Sequence, residues 1–228
     1  DCRILQNRYP EMANRLKVTG SARSDLWRSD LAEILFTKEI DAIKNAHGRF
    51  VLINSSVGIS SRDRLNETLE QSRRYRRLNE NDVRRERTRL ESRYEEFQWF
   101  SQQVDAIAER RPDLRFVLRP HPSEPVADWR AAIQERDNLR IVKKGDPGPW
   151  ISAAECVVHE GCTTAVQAVC MGRAVISLIG GPCTETEKRN SFPLRLGARA
   201  RSLDELSRAL DSSLGTLDDG HCERDRAL

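Results

Sequence analysis

ECVVHEGCTTAVQAVC, residues 155–170, runs from a short β-branched stretch through a glycine turn into an apolar stretch with helical spacing. Val157 and Val158 favour a buried strand, Gly161 permits a tight turn, and Thr163 and Thr164 stand where a helix starts. Strand, turn and helix in that order make half of a β-α-β unit, and the next apolar run, Ala174 to Leu178, supplies the following strand. The same alternation holds upstream. Phe50 to Asn54 (FVLIN), Arg115 to Arg119 (RFVLR), Leu139 to Val142 and Glu155 to His159 read as strands. Arg62 to Arg111 contains no Gly or Pro and reads as helix, broken near Asn79 to Asn81. Further helices are expected at Val126 to Arg136, Pro149 to Ala154, Thr163 to Met171 and Ser202 to Leu210, the last capped by Ser202 with Glu205 three residues on.

The expectation is an α/β fold: a Rossmann-like parallel sheet of five strands with helices on both faces, spanning about residues 46–215. Residues 1–45 start no such unit. They hold one short apolar piece ending in VTGSARSDLWR and a helical pattern from Leu26 to Ala46, and are expected to be the remnant of an upstream domain and its linker. Residues 216–228 read as a flexible tail.

A chain of 228 residues buries a core without covalent staples. Its net charge of +3, from 38 basic and 35 acidic residues, gives no reason to expect a nucleic-acid partner. The six cysteines (Cys2, Cys156, Cys162, Cys170, Cys183, Cys222) form no CxxC pair and no His/Cys metal spacing, so reduced thiols in a cytoplasmic protein without a metal cofactor are expected. No apolar run approaches the roughly 20 residues of a membrane span, and DCRILQNRYP lacks a secretory layout. The arginine-dense stretch Arg73 to Arg93, interleaved with Glu80, Glu86 and Glu91, reads either as a solvated helix face laced with ion pairs or as a patch for an anionic membrane surface or acidic glycan.

Ligands of open parallel sheets sit beyond the carboxyl ends of the strands. Three of those ends are polar: Ser55-Ser56-Val57-Gly58 after Asn54, His121-Pro122-Ser123-Glu124 after Pro120, and Glu160-Gly161-Cys162-Thr163-Thr164 after His159. Prolines on both sides of His121 fix its backbone at a strand exit, where the imidazole can donate to a phosphate oxygen. Gly161, Cys162, Thr163 and Thr164 form a turn into a helix, whose amides and hydroxyls suit an anion; Thr163 and Thr164 as plain helix caps explain the same residues. Ser55 and Ser56 add hydroxyls at the same edge. Gly145 and Trp150, in KKGDPGPW, offer a carbonyl and an aromatic face to a nucleobase, or else form a structural turn. Glu124 and Glu160 belong to different loops, and no carboxylate cluster for a metal is expected.

Taken together, VTGSARSDLWR, FVLINSS, RPHPSE and KKGDPGPWISAAECVVHEGCTTAVQAVCMGRAVISLIG resemble the bacterial surface carbohydrate biosynthesis proteins over about residues 15–210. The pair RPHPSE and HEGCTT is similar to the HP and Ser/Thr motifs of bacterial sialyl-, polysialyl- and Kdo transferases, which bind the nucleotide phosphate of a CMP-sugar. The resemblance implies the C-terminal donor-binding domain of a GT-B glycosyltransferase, with His121 and Pro122 as the HP motif and Thr163 and Thr164 as the Ser/Thr motif. It implies that His121 stabilises the departing phosphate, that no metal is needed, and that the partners are a CMP-sugar and a surface polysaccharide or lipopolysaccharide acceptor at the inner membrane. The catalytic base of such enzymes lies in an N-terminal domain absent from this sequence. Gln167 and Cys170 stand where related proteins carry an acidic residue that holds a ribose, which argues against UDP- or GDP-sugars. A sugar-nucleotide 2-epimerase, a polyol-phosphate transferase of similar fold, and a nucleotide-binding module without turnover are the alternatives.

Overall fold

The computed structural model describes residues 2–18, 20–181 and 191–218. Among them six strands form one sheet: β1 (Val51–Asn54), β2 (Phe116–Arg119), β3 (Leu139–Ile141), β4 (Cys156–His159), β5 (Ala174–Leu178) and β6 (Ala198–Ala200). Every pairing is parallel, in the order β3-β2-β1-β4-β5-β6. This is the Rossmann order, in which the chain's direction of progress reverses between β1 and β4. The register is continuous across the centre, with Asn54 level with Arg119 on one side and His159 on the other.

The strands read as unbroken apolar runs because both faces of the sheet are buried. Val51 and Ile53 of β1, Phe116 and Leu118 of β2, and Cys156 and Val158 of β4 point into one core. Helices α5 (Glu80–Arg110), α6 (Val126–Ala132) and α9 (Leu203–Asp218) close that core through Phe97, Phe100, Trp129, Leu206 and Leu210. Leu52, Val117 and Val157 point the other way, into a second core shared with α3 (Ser29–His47), α7 (Pro147–Ala153) and α8 (Thr164–Cys170). The alternation follows from the two-residue period of a strand. From residues 29–47, Ala32, Ile40 and Ile43 of α3 enter this second core against α7. Short helices at Cys2–Arg8 (α1) and Ala22–Asp25 (α2) precede it.

The expected break in the long arginine-rich helix is a helical hairpin. Helix α4 (Arg62–Arg76) ends at Arg77, in the left-handed region at φ 49°, and α5 begins after Asn79, whose side chain accepts the Asp82 N–H at 3.0 Å. Three expectations are corrected. The sheet has six strands rather than five, because β6, with only three residues and Arg199 at its centre, carries no apolar run. It lies so close to β5 that a Cβ on Gly197, at φ +67°, would stand 2.0 Å from the Val175 carbonyl oxygen. Helix α6 stops at Ala132, and α9 continues past Gly215 to Asp218. Cys183, Cys222 and residues 219–228 of the expected tail lie outside the described residues. The described cysteines Cys2, Cys156, Cys162 and Cys170 are free thiols. No helix among the described residues is long and apolar enough to cross a membrane.

Candidate functional site

The loops after β2, β1 and β4 lie side by side at the carboxyl edge, with the β1 loop in the middle at the point where the strand order reverses. Two buried carboxylates hold that middle loop. Glu124, fully buried, accepts the Ser55 hydroxyl at 3.0 Å and the Gly58 N–H at 2.8 Å through Oε1. Through Oε2 it accepts the His121 N–H at 3.2 Å and the Trp129 indole N–H at 2.9 Å. From the other side Glu160, 7% exposed, accepts the Ser56 N–H at 2.6 Å and the Ser56 hydroxyl at 3.0 Å through Oε1. Its Oε2 is buried with no partner among the described residues. Burial, reinforced by the nearby Glu124 charge and opposed by the Ser56 hydrogen bonds, pushes the Glu160 carboxyl up to about 7. Reading the two acids as separate loop residues missed this: they converge on one loop.

His159 ends β4 inside the protein. Ser177 on β5 donates its hydroxyl to the Leu196 carbonyl at 3.2 Å, so it accepts from His159 Nε2 at 3.0 Å, and Nδ1 accepts the Gly161 N–H at 3.0 Å. That is the neutral imidazole with its proton on Nε2, and burial holds its pKa down to about 4. His159 is therefore a structural support for the turn at Gly161, whose φ of 137° a side chain would strain.

Of the donors expected at this edge, several are turned inward. Ser55 and Ser56 give their hydroxyl protons to Glu124 and Glu160. The Gly161 N–H is taken by His159. Thr164 accepts from the Asn54 side-chain amide at 2.9 Å and donates to Cys162 Sγ at 3.0 Å, which ties α8 to β1. Cys162 is buried, and burial raises its thiol pKa. Two donors remain outward. Thr163 is exposed, and among the described residues its hydroxyl makes no hydrogen bond, including none to the helix it precedes. His121 is exposed too; its Nδ1 meets the Ser123 hydroxyl at 2.7 Å and accepts the Ser123 N–H at 3.2 Å. Nδ1 is thereby the acceptor and Nε2 carries the ring proton outward. Pro122 lies between them in the same exposed turn.

Two cations that the sequence reading did not single out flank the His121 turn. Arg64, in the first turn of α4, donates Nη2 to the Ser123 carbonyl at 2.5 Å, and Lys143, just beyond β3, donates Nζ to the Glu124 carbonyl at 2.6 Å. Their signal in the sequence is only that each follows a strand or the loop after one. The nucleobase candidates sit differently from expectation. Trp150 is 8% exposed, packed against His47 and Phe50 with the Arg119 guanidinium 5.2 Å above its ring. The Gly145 carbonyl is taken by Arg119 Nη2 at 2.8 Å. Trp150 is aromatic at a strand end, but α7 turns it into the core.

Among the described residues, no group of three or more His, Cys, Asp or Glu side chains is placed to hold a metal ion. No protein-family model and no curated protein matches the chain. Solved structures with a similar fold include the UDP-GlcNAc 2-epimerase of Methanocaldococcus jannaschii in complex with UDP-GlcNAc and UDP, at 13% identity and TM-score 0.49, covering 93% of this chain and 52% of that one. The UDP-GlcNAc 2-epimerase of Neisseria meningitidis bound to UDP-GlcNAc matches at 12% identity and TM-score 0.49, covering 95% and 50%. KpsC, the beta Kdo 2,4 transferase of Thermosulfurimonas dismutans, matches at 13% identity and TM-score 0.34, covering 83% and 60%. The chain spans about half the length of the two epimerases. Similarity at this level carries no argument about ligand or reaction.

Proposed function

We propose that the edge formed by β1, β2 and β4 holds the phosphate of a sugar nucleotide, and that the chain is the donor-binding part of a glycosyltransferase. In this reading an acidic sugar moves from a CMP-sugar to a surface glycan acceptor. The observation that carries it is the freedom of His121 and Thr163. Around them the Ser55, Ser56 and Thr164 hydroxyls are committed inward and the exposed Ser123 hydroxyl is taken up by His121 Nδ1, while His121 Nε2 and the Thr163 hydroxyl, on loops either side of β1, are left to donate outward. The ends of β2 and β4 stand two strand spacings apart, roughly 10 Å, so side chains leaning over the β1 loop can meet one phosphate group. Arg64 and Lys143 add positive charge beside it.

In the reaction the acceptor oxygen attacks the anomeric carbon while the bond from that carbon to the phosphate oxygen breaks. The acceptor proton passes to a base, which the motif resemblance assigns to a second domain, and CMP leaves. The charge that develops on the departing phosphate is met by the His121 and Thr163 donors, held in place before the reaction begins. A leaving monophosphate concentrates its charge on one group, which such donors can stabilise without a divalent ion.

Titration calorimetry with CMP, UMP, UDP and GDP tests the reading. Tightest binding to CMP, weakened roughly tenfold to hundredfold in His121→Ala, is the expected result. Preferred UDP binding overturns the CMP assignment in favour of epimerase-type chemistry. Equal CMP affinity of wild type and folded His121→Ala removes the phosphate site.

A further inference from the structure

The far end of the α4–α5 hairpin takes no part in the sheet-edge site. Leu65 and Leu69 of α4 pack with Leu90 of α5 and with Ile59, a small core separate from the two that cover the sheet. Glu86, buried in this hairpin, binds Arg89 at 2.8 Å and lies 3.6 Å from Arg76. That accounts for two of the nine arginines between residues 73 and 93, where there are four carboxylates. Arg73, Arg74 and Arg77 at the end of α4, and Arg84, Arg85 and Arg87 in the first turns of α5, are all exposed. None of these six has a carboxylate partner among the described residues. Tyr75, in the middle of RRYRR, is 79% exposed.

The helix dipole favours the arginines that close α4, but it does not account for the three that follow across the turn in α5. Arg84, Arg85 and Arg87 lie past the first turn of α5, where the dipole gives them nothing, and like charges crowded at one tip repel one another. The cost is offset when an anionic surface meets the tip. We propose that the hairpin tip docks on an anionic lipid bilayer surface. A linear polyanion would run past the interspersed Glu80, Asp82 and Glu91, and a single exposed tyrosine is no stacking platform for successive bases. A bilayer needs only the convex end of the hairpin. It meets the guanidiniums with lipid phosphates and accepts Tyr75 at headgroup level, apolar ring inward and hydroxyl outward. Between the helix ends, Arg73, Arg84, Leu78, Val83 and Glu80 line a recess of about 370 Å³, placing guanidiniums beside apolar side chains as a lipid phosphate and its acyl root require. Docking at this tip is independent of what the sheet edge binds.

Vesicle co-sedimentation of the whole chain tests it, comparing pure phosphatidylcholine with vesicles containing about one-third phosphatidylglycerol. Binding to the anionic vesicles alone is expected, with a loss of roughly tenfold or more when salt is raised to about 0.5 M or when Arg73, Arg74 and Arg77 are replaced by Gln. Independently of that triple variant's folding, Tyr75→Trp should give a blue-shifted emission relative to wild type on adding anionic vesicles, and no shift with neutral ones. No binding to anionic vesicles, or equal binding by a folded triple variant, overturns the proposal. Displacement from the vesicles by a lower concentration of single-stranded RNA or heparin overturns it too, in favour of a linear polyanion.

Discussion

Glu160 accepts both the backbone N–H and the hydroxyl of Ser56, at 2.6 and 3.0 Å, through a single oxygen. The loop after β1 is thus pinned from the β4 side as Glu124 pins it from the β2 side, through Ser55 and Gly58. The carboxylates position the site by taking up its spare donors. What faces outward is what they leave.

Glu124→Ala strips the acceptor from four donors in a fully buried place: the Ser55 hydroxyl, the Gly58 and His121 N–H groups and the Trp129 indole. The expected loss of stability is about 2–4 kcal/mol, as for leaving several buried neutral donors without their acceptor. Denaturant unfolding measures it. A loss below about 1 kcal/mol would show that water replaces the carboxylate and that the loop is not held this way.

Thr163 and Thr164 should separate cleanly although they are neighbours. Thr163 makes no cap bond, so Thr163→Ala should leave stability within about 0.5 kcal/mol and weaken CMP binding by about 1–2 kcal/mol. Thr164→Ala removes the acceptor of the buried Asn54 amide and should cost about 1–3 kcal/mol of stability. If His121 and Thr163 meet the same phosphate, the double variant should lose less than the sum of the single losses. Early unfolding of Thr163→Ala with unchanged CMP affinity would return Thr163 to a capping role.

Nucleotide binding should be indifferent to EDTA. Both oxygens of Glu124 are engaged by protein donors, one oxygen of Glu160 is engaged and the other is buried, so neither acid at this edge faces a ligand as a metal bridge would. Loss of binding in EDTA that magnesium or manganese restores would overturn this.

The strands were legible because burial on both faces leaves VLIN, FVLR and CVVH without polar interruption, and three polar segments directly after them marked the edge. The direction of each hydroxyl was not. Whether Ser56 faces ligand or protein is decided by Glu160, distant in sequence and on another loop, so no local pattern encodes it. Trp150 fails for a similar reason: its place beside Phe50 and His47 is set by α7 packing on α3. β6 was missed because an edge strand of three residues with Arg199 at its centre has no hydrophobic period to detect.

His159 and Glu160, adjacent in the chain, should make opposite contributions to the pH dependence of stability. Burial lowers His159 from 6.5 to about 4, so on acidification the unfolded chain takes up this proton first; the stability it contributes is full above about 6.5 and is lost as pH falls toward 4. Burial raises Glu160 from 4.5 to about 7, so the folded state holds this proton longer; its contribution is full below 4.5 and is lost as pH rises through about 7. Between 4.5 and 6.5 the two slopes oppose each other, and above that Glu160 acts without His159. Glu160→Gln removes the falling limb while its amide oxygen can still accept from Ser56. Relative to wild type, the variant should therefore gain stability steadily as pH rises from 4.5 to 7, by up to roughly 3 kcal/mol, and gain no more beyond. Taking the difference between the two proteins in urea unfolding cancels the titrating groups that are not coupled to Glu160. A difference that stays constant across that range would mean Glu160 is ionised in the folded protein throughout, with its second oxygen solvated rather than buried.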